Sequence, residues 1–110
     1  MFGLFKRKKD TYQNIGLEAF NEMRQHPDAV VIDVRNPKEI ASGAVPGHVA
    51  INISESDFRE KVTKFDQSKT YLVYCRSGMR SAKACRIMSD MGFKSLYNFK
   101  GGIIEWNTGQ

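Results

Sequence analysis

Five short runs of mainly apolar, β-branched or aromatic residues recur along the chain, separated by stretches in which apolar residues have helical spacing. The runs are TYQNI (11–15), AVVIDV (29–34), VAINI (49–53), TYLVY (70–74) and SLYNF (95–99). Strands that alternate with helices form βα units, whose strands lie parallel in one sheet. The pattern therefore predicts an α/β domain with a largely parallel sheet, in which TYLVY is central and TYQNI is an edge strand.

Apolar residues three or four positions apart mark the helices between these strands. They are Leu17, Phe20 and Met23 in a first helix, Phe58, Val62 and Phe65 in a second, and Ala84, Ile87, Met88 and Met91 in a third. One face of each helix is thereby predicted to lie on the sheet. GGIIEW (101–106) predicts a short terminal helix that packs Ile103, Ile104 and Trp106 on the sheet.

Residues that favour helix ends mark several boundaries. Asn36 precedes Pro37 and stands three residues before Glu39, which is the pattern of a capping box at the start of a short helix. The glycines and proline of residues 43–47 end that helix in a loop. Gly92 follows the last apolar residue of the third long helix, where a glycine commonly ends a helix.

The net charge of +5 is concentrated near the start of the chain. Residues 6–9 carry four positive charges, which leaves a net charge of +1 for residues 10–110. We therefore expect a basic, flexible N-terminal arm over residues 1–10 and one domain over residues 11–108.

This arm suggests two kinds of partner, and the sequence supports neither strongly. The apolar and basic side chains of residues 2–9 allow at most weak contact with an anionic membrane surface. The arm lacks the interleaved aromatic and basic residues of nucleic-acid-binding sites, so no nucleic-acid partner is expected.

Composition and cysteine usage narrow the class of protein. Hydrophobic residues make up 41% of the chain and charged residues 26%, as in ordinary globular proteins. The first residues lack the features of a secretory signal, so we expect a cytoplasmic protein. Because disulfides are rare in cytoplasmic proteins, Cys75 and Cys85 are not expected to form a disulfide framework. His26 and His48 lack metal-ligand spacing, so no metal site is expected.

Cys75 directly follows the predicted central strand, where open α/β sheets bind their ligands. The residues after Cys75 must turn into a helix, whose first N–H groups and dipole form a cradle for an anion. A thiol in such a cradle is held as a thiolate. Gly78 permits a positive φ, Ser77 can add a hydroxyl donor, and the arginines add positive potential. The sequence predicts Cys75 as the nucleophile and an active-site loop made of Arg76, Ser77, Gly78, Met79 and Arg80.

A purely structural cysteine is the alternative for both thiols. For Cys75 this alternative is disfavoured, because a structural cysteine needs neither the glycine nor two arginines. Cys85 lies in the middle of a predicted helix among Ala82, Ala84 and Met88, without a glycine turn. A structural role as a small hydrophobic residue is therefore expected for Cys85.

Four segments of the chain resemble the single-domain rhodaneses, a family of sulfurtransferases. They are VIDVRNPKEIASGAVPGHVAINI, TYLVYCRSGMRSAKAC, MGFKSLYNFKGG and GGIIEW, in the family's order. The resemblance implies a rhodanese-like α/β fold, in which helices flank both faces of a central, mostly parallel, five-stranded sheet. It also implies that Cys75 takes a sulfane sulfur as a cysteine persulfide and passes it to an acceptor, without a cofactor.

By the same resemblance, the sulfur donor is thiosulfate or a persulfide, and the acceptor is a thiol or cyanide. Ping-pong kinetics should follow. A relay module that carries sulfur for a partner protein, with little activity on free thiosulfate, is the alternative. Cysteine phosphatases share the fold but place five residues between cysteine and arginine, whereas four residues separate Cys75 from Arg80. Phosphatase activity is therefore less favoured. Arsenate reduction, another use of this fold, is a further less favoured alternative, which the sequence neither supports nor excludes.

Two further residues, Asp33 and Arg35, lie at the end of the second predicted strand. By resemblance, Arg35 can hold an anionic donor or orient the loop; the alternative is an ion pair with Asp33 or Glu39. Arg80 either meets the substrate or braces the loop against a carboxylate. Arg76 is expected to face solvent and the donor.

Overall fold

The structure is a computed structural model that describes residues 12–109. Its strands are β1 (Gln13–Ile15), β2 (Ala29–Asp33), β3 (Val49–Ala50), β4 (Thr70–Tyr74) and β5 (Leu96–Phe99). Its helices are α1 (Leu17–Met23), α2 (Pro37–Ala41), α3 (Phe58–Val62), α4 (Met79–Asp90) and α5 (Gly102–Gly109). The predicted basic arm, residues 1–10, lies outside the described residues.

The five strands form one sheet in the order β1-β5-β4-β2-β3. Every pair of neighbours is parallel. β4 occupies the centre, and four of its five residues are buried, as its continuous apolar run predicts. β1 is an edge strand and pairs with β5 alone. The predicted parallel α/β sheet, its central strand and its first edge strand are confirmed.

Helices cover both faces of the sheet. Successive side chains of β4 point to opposite faces, so β4 contributes to a buried cluster on each of them. Tyr71 and Val73 belong to one buried cluster, which also contains Phe58 and Val62 of α3 and Ala84, Cys85 and Met88 of α4. Leu72 and Tyr74 belong to the other cluster, with Phe20 of α1 and Ile103 of α5. The arrangement of helices on both faces is thus confirmed.

The start of α2 has the predicted capping box. The Asn36 side chain accepts a hydrogen bond from the Glu39 backbone N–H at 2.8 Å, and the Glu39 carboxylate accepts one from the Asn36 N–H at 3.2 Å. This reciprocal pair satisfies two N–H groups that have no partner within the helix. It also fixes the Glu39 carboxylate, which reappears in the site described below.

Three details of the predicted fold were wrong. The helix predicted from Phe58, Val62 and Phe65 ends at Val62, before Phe65. The strand predicted over residues 49–53 ends at Ala50, because the Asn52 side chain accepts a hydrogen bond from the Ser54 N–H at 2.9 Å and turns the chain. Ile104 was predicted to pack on the sheet but is 43% exposed. The neighbouring Ile103 is buried as predicted, and the two differ because consecutive helical residues point in different directions.

Within residues 12–109, no helix combines the length and the apolar character needed to cross a bilayer. The 12 residues of α4 compare with the roughly 20 that a spanning helix requires. In the same part of the chain, His, Cys, Asp and Glu side chains form no group that could hold a metal ion.

Candidate active site

Cys75 lies at the carboxyl end of the central strand, directly after β4. Because the strands are parallel, the end of β2 lies beside it, with Asp33 in register with Tyr74. Residues 76–78 turn the chain into α4. Cys75 is 2% exposed, so its sulfur lies beneath this turn. The fold places the predicted nucleophile where parallel sheets hold their ligands.

Backbone N–H groups of the loop converge on the Cys75 sulfur. The Gly78 N–H donates to Sγ over 3.2 Å, and the backbone groups of Ser77 and Ser81 also act to lower the pKa of the Cys75 thiol. Gly78 has φ +97°, in the left-handed region that favours glycine. This conformation allows the turn to point several donors at one atom, which is the geometry of an anion site.

A hydroxyl group also contacts the Cys75 sulfur, and it is the hydroxyl of Ser81 rather than that of Ser77. The Ser81 hydroxyl oxygen is 3.4 Å from Sγ and fully buried, whereas Ser77 is exposed and contributes its N–H. Ser81 is the third residue of α4. Helical side chains tilt toward the N-terminus, so that position projects back into the loop. This tilt is the signal that would have identified Ser81 from the sequence.

The two cysteines have opposite electrostatic environments. Burial alone raises the pKa of Cys75, but the hydrogen bonds from Ser81, Gly78 and Ser77 outweigh it and bring the pKa below its ordinary value. Burial without such donors raises the pKa of Cys85 to about 12. Cys75 is therefore the cysteine that favours the thiolate.

Arg80 braces the loop against the capping box of α2. Its Nη1 and Nη2 atoms each lie 2.8 Å from one carboxylate oxygen of Glu39. These bonds, outweighing partial burial, hold the pKa of Glu39 at about 2. Of the two roles left open for Arg80, the geometry shows the carboxylate brace, because both ends of the guanidinium fork are occupied.

Asp33 and Arg35 form a buried ion pair at the end of β2. Arg35 Nη2 lies 2.7 Å from Asp33 Oδ2, with the two side chains 4% and 0% exposed. The same nitrogen donates to the Gly43 carbonyl over 2.8 Å. Of the alternatives for Arg35, the structure shows the pair with Asp33. This pair fixes the loop after α2 beside the active-site turn.

Arg76 is the exposed cation next to the sulfur. It lines a cavity of about 230 Å³ together with Arg35, Ser42 and Gly43. Within residues 12–109 Arg76 forms no ion pair. Its charge is thus available to an anion that approaches the loop. Met79, the remaining loop residue, begins α4 and is exposed.

Fold and site together define a parallel α/β protein with a thiol of lowered pKa in an amide-lined loop. Such a thiol is suited to nucleophilic chemistry. Residues 17–108 match the rhodanese-like domain, and the chain belongs to the rhodanese-like family.

Individual relatives agree with this assignment. YtwF of Bacillus subtilis, which bears the name of a sulfurtransferase, is 41% identical over 76 residues, or 69% of this chain and 71% of that protein. A tRNA uridine(34) hydroxylase of Hamiltonella defensa is 35% identical over 87% of this chain, which spans 28% of that protein. The crystal structure of a rhodanese-related protein from Thermoplasma volcanium has a TM-score of 0.78 at 32% identity, covering 89% of this chain and 93% of that one.

Ser81→Ala is expected to raise the pKa of Cys75, because it removes a hydrogen bond to the thiolate. The measurement is the alkylation rate of Cys75 as a function of pH, resolved by peptide mass mapping. Ser77→Ala is the matched control, since its N–H remains and its side chain is exposed. Equal pKa values for Cys75 in both variants would contradict the assignment of the hydroxyl donor to Ser81.

Proposed function

We propose that the protein is a sulfurtransferase that carries a sulfane sulfur on Cys75 as a persulfide. The observation that carries this proposal is the placement of the Gly78 N–H nitrogen and the Ser81 hydroxyl oxygen at 3.2 Å and 3.4 Å from the Cys75 sulfur. Membership of the rhodanese-like family supports it, as does the likeness to a relative with a sulfurtransferase name.

The proposed cycle consists of two displacements at sulfur. The Cys75 thiolate attacks the outer sulfur of thiosulfate or of a persulfide; the donor's bond to that sulfur breaks, and its remainder leaves with the electron pair. An acceptor thiolate then attacks the terminal sulfur of the Cys75 persulfide, which regenerates the thiolate. The loop N–H groups stabilise the anionic sulfur in both states, as an oxyanion hole stabilises oxygen. Arg76 supplies positive potential for the anionic donor.

Phosphoryl transfer is less well supported by the same loop. Four residues, not five, separate Cys75 from Arg80. The guanidinium of Arg80 is already bound at both ends by Glu39, so it is not free to hold two phosphate oxygens. The likeness to the tRNA hydroxylase covers 28% of that protein, which does not support the activity of the whole enzyme for this chain.

Intact-protein mass spectrometry after incubation with a panel of donors tests this proposal. We expect a gain of one sulfur atom on Cys75 from thiosulfate or a low-molecular-weight persulfide, and its loss on addition of cyanide. Gain from a cysteine desulfurase but not from thiosulfate would favour the relay form of the function. If no donor adds sulfur to Cys75, the sulfurtransferase proposal is wrong.

A further inference from the structure

A buried amide, Asn98 of β5, lies behind the active-site loop and contacts Ser81. Asn98 Oδ1 is 2.5 Å from the Ser81 hydroxyl oxygen, and the same hydroxyl oxygen is 3.4 Å from the Cys75 sulfur. Asn98 is 2% exposed and Ser81 is fully buried. Solvent is therefore poorly placed to supply either side chain with a replacement partner.

The orientation of the Asn98 amide is determined by its other contacts. Its nitrogen Nδ2 donates to the Gly78 carbonyl over 3.2 Å and to the Asn14 side-chain oxygen over 2.9 Å. A backbone carbonyl can only accept a hydrogen bond, so the nitrogen must face Gly78 and the oxygen must face Ser81. Asn98 is thus an acceptor toward the hydroxyl.

The Ser81 hydroxyl has one hydrogen and two potential acceptors. A hydroxyl donates one hydrogen bond, while its lone pairs can accept others. The contact of the hydroxyl with Asn98 is shorter than its contact with the sulfur. When Cys75 is an uncharged thiol, the hydroxyl hydrogen therefore points to the Asn98 oxygen, and the thiol can donate its own hydrogen to the hydroxyl oxygen. A thiolate can only accept, and it is the stronger acceptor because it is charged.

We propose that Asn98 is a positioning residue whose side-chain oxygen competes with the Cys75 sulfur for the Ser81 hydroxyl hydrogen, so that the hydroxyl follows the charge on the sulfur. Its role in the cycle rests on the proposed sulfur transfer. When the persulfide forms, the negative charge moves to the outer sulfur and the hydroxyl turns to Asn98. When the acceptor removes that sulfur, the charge returns to Sγ and the hydroxyl turns back. The hydroxyl keeps its proton throughout.

Charged groups near the sulfur act separately from this switch. Arg80 of α4 interacts electrostatically with Cys75 and is itself paired with Glu39 of α2. The Asp33–Arg35 pair lies at the end of β2, and Arg76 lies in the loop. Among the hydrogen bonds and ion pairs of residues 12–109, none joins these charged side chains to Ser81 or Asn98.

Asn98→Leu, which removes the competing acceptor at similar size, tests the proposal. In this variant, ionisation of Cys75 no longer takes a hydrogen bond away from Asn98. We therefore expect the acid dissociation constant of the Cys75 thiol to rise about fivefold. The readout is the pH dependence of Cys75 alkylation, which needs no sulfur donor. In a Ser81→Ala background, the same substitution should have no effect, because the shared hydroxyl is gone.

Asn14→Ala is the matched control, since it removes an exposed partner of Asn98 while the Gly78 carbonyl still orients the amide. It should leave the pKa of Cys75 unchanged. A pKa that is unchanged or raised in Asn98→Leu, or an effect that persists without the Ser81 hydroxyl, would overturn the proposal. If the leucine variant does not fold, Asn98→Ala is judged by the same outcomes. The donor-panel mass measurement decides the sulfurtransferase function independently.

Discussion

Cys75→Ser is expected to abolish sulfur loading and to reduce sulfur transfer by about 10³-fold or more, because the nucleophile itself is removed. A serine hydroxyl stays protonated in a loop that lowers the pKa of a thiol. Within residues 12–109 only Cys85 offers another thiol. The measurement is persulfide formation by intact mass, together with the steady-state rate of transfer from thiosulfate to cyanide.

Cys85→Ala provides the control for this prediction. Cys85 is buried in the core with a pKa of about 12, so it is neither exposed nor a thiolate. Its replacement should lower the free energy of unfolding by about 1–2 kcal/mol through a small cavity, while sulfur loading continues. Sulfur loading that survives in Cys75→Ser, or that disappears in Cys85→Ala with the fold intact, would refute Cys75 as the carrier.

Much of the fold could be predicted from local sequence because several local signals agree. The continuous apolar run of residues 70–74 requires burial on both faces, and the structure places it at the centre of the sheet. Asn36, Pro37 and Glu39 specify a helix start through contacts within four residues. Such signals need no knowledge of the rest of the chain.

The parts that could not be predicted depend on contacts between distant segments. Arg80 required a carboxylate partner, and only the packing of α2 beside the loop identifies it as Glu39, 41 residues earlier. For Arg35 the sequence left open a role in holding the donor or orienting the loop and an ion pair with Asp33 or Glu39. Burial of the end of β2 favours the pair with the nearer carboxylate, Asp33. Proximity in sequence favours Ser77 as the hydroxyl donor, whereas helix geometry places the Ser81 hydroxyl at the sulfur.

Gly78→Ala is expected to damage both the fold and the site. Gly78 has φ +97°, and a Cβ atom at this position would lie 2.5 Å from the Lys100 carbonyl oxygen. The backbone must shift, which should lower the free energy of unfolding by roughly 2–4 kcal/mol. The shift would also displace the N–H that lies 3.2 Å from the Cys75 sulfur, so the pKa of Cys75 should rise and sulfur loading should slow. Chemical denaturation and the rate of sulfur loading measure the two effects.

Gly47→Ala separates backbone strain from steric conflict in that prediction. Gly47 also has a positive φ, +81°, but nothing lies within 4 Å of a Cβ atom built there. The free energy of unfolding of the Gly47→Ala variant should therefore fall by only about 1–2 kcal/mol, because alanine is strained in the left-handed conformation. The pKa of Cys75 and sulfur loading should be unchanged. Similar losses of stability in the two variants, with normal loading in both, would show that the close approach of Gly78 to Lys100 does not hold the loop around the sulfur.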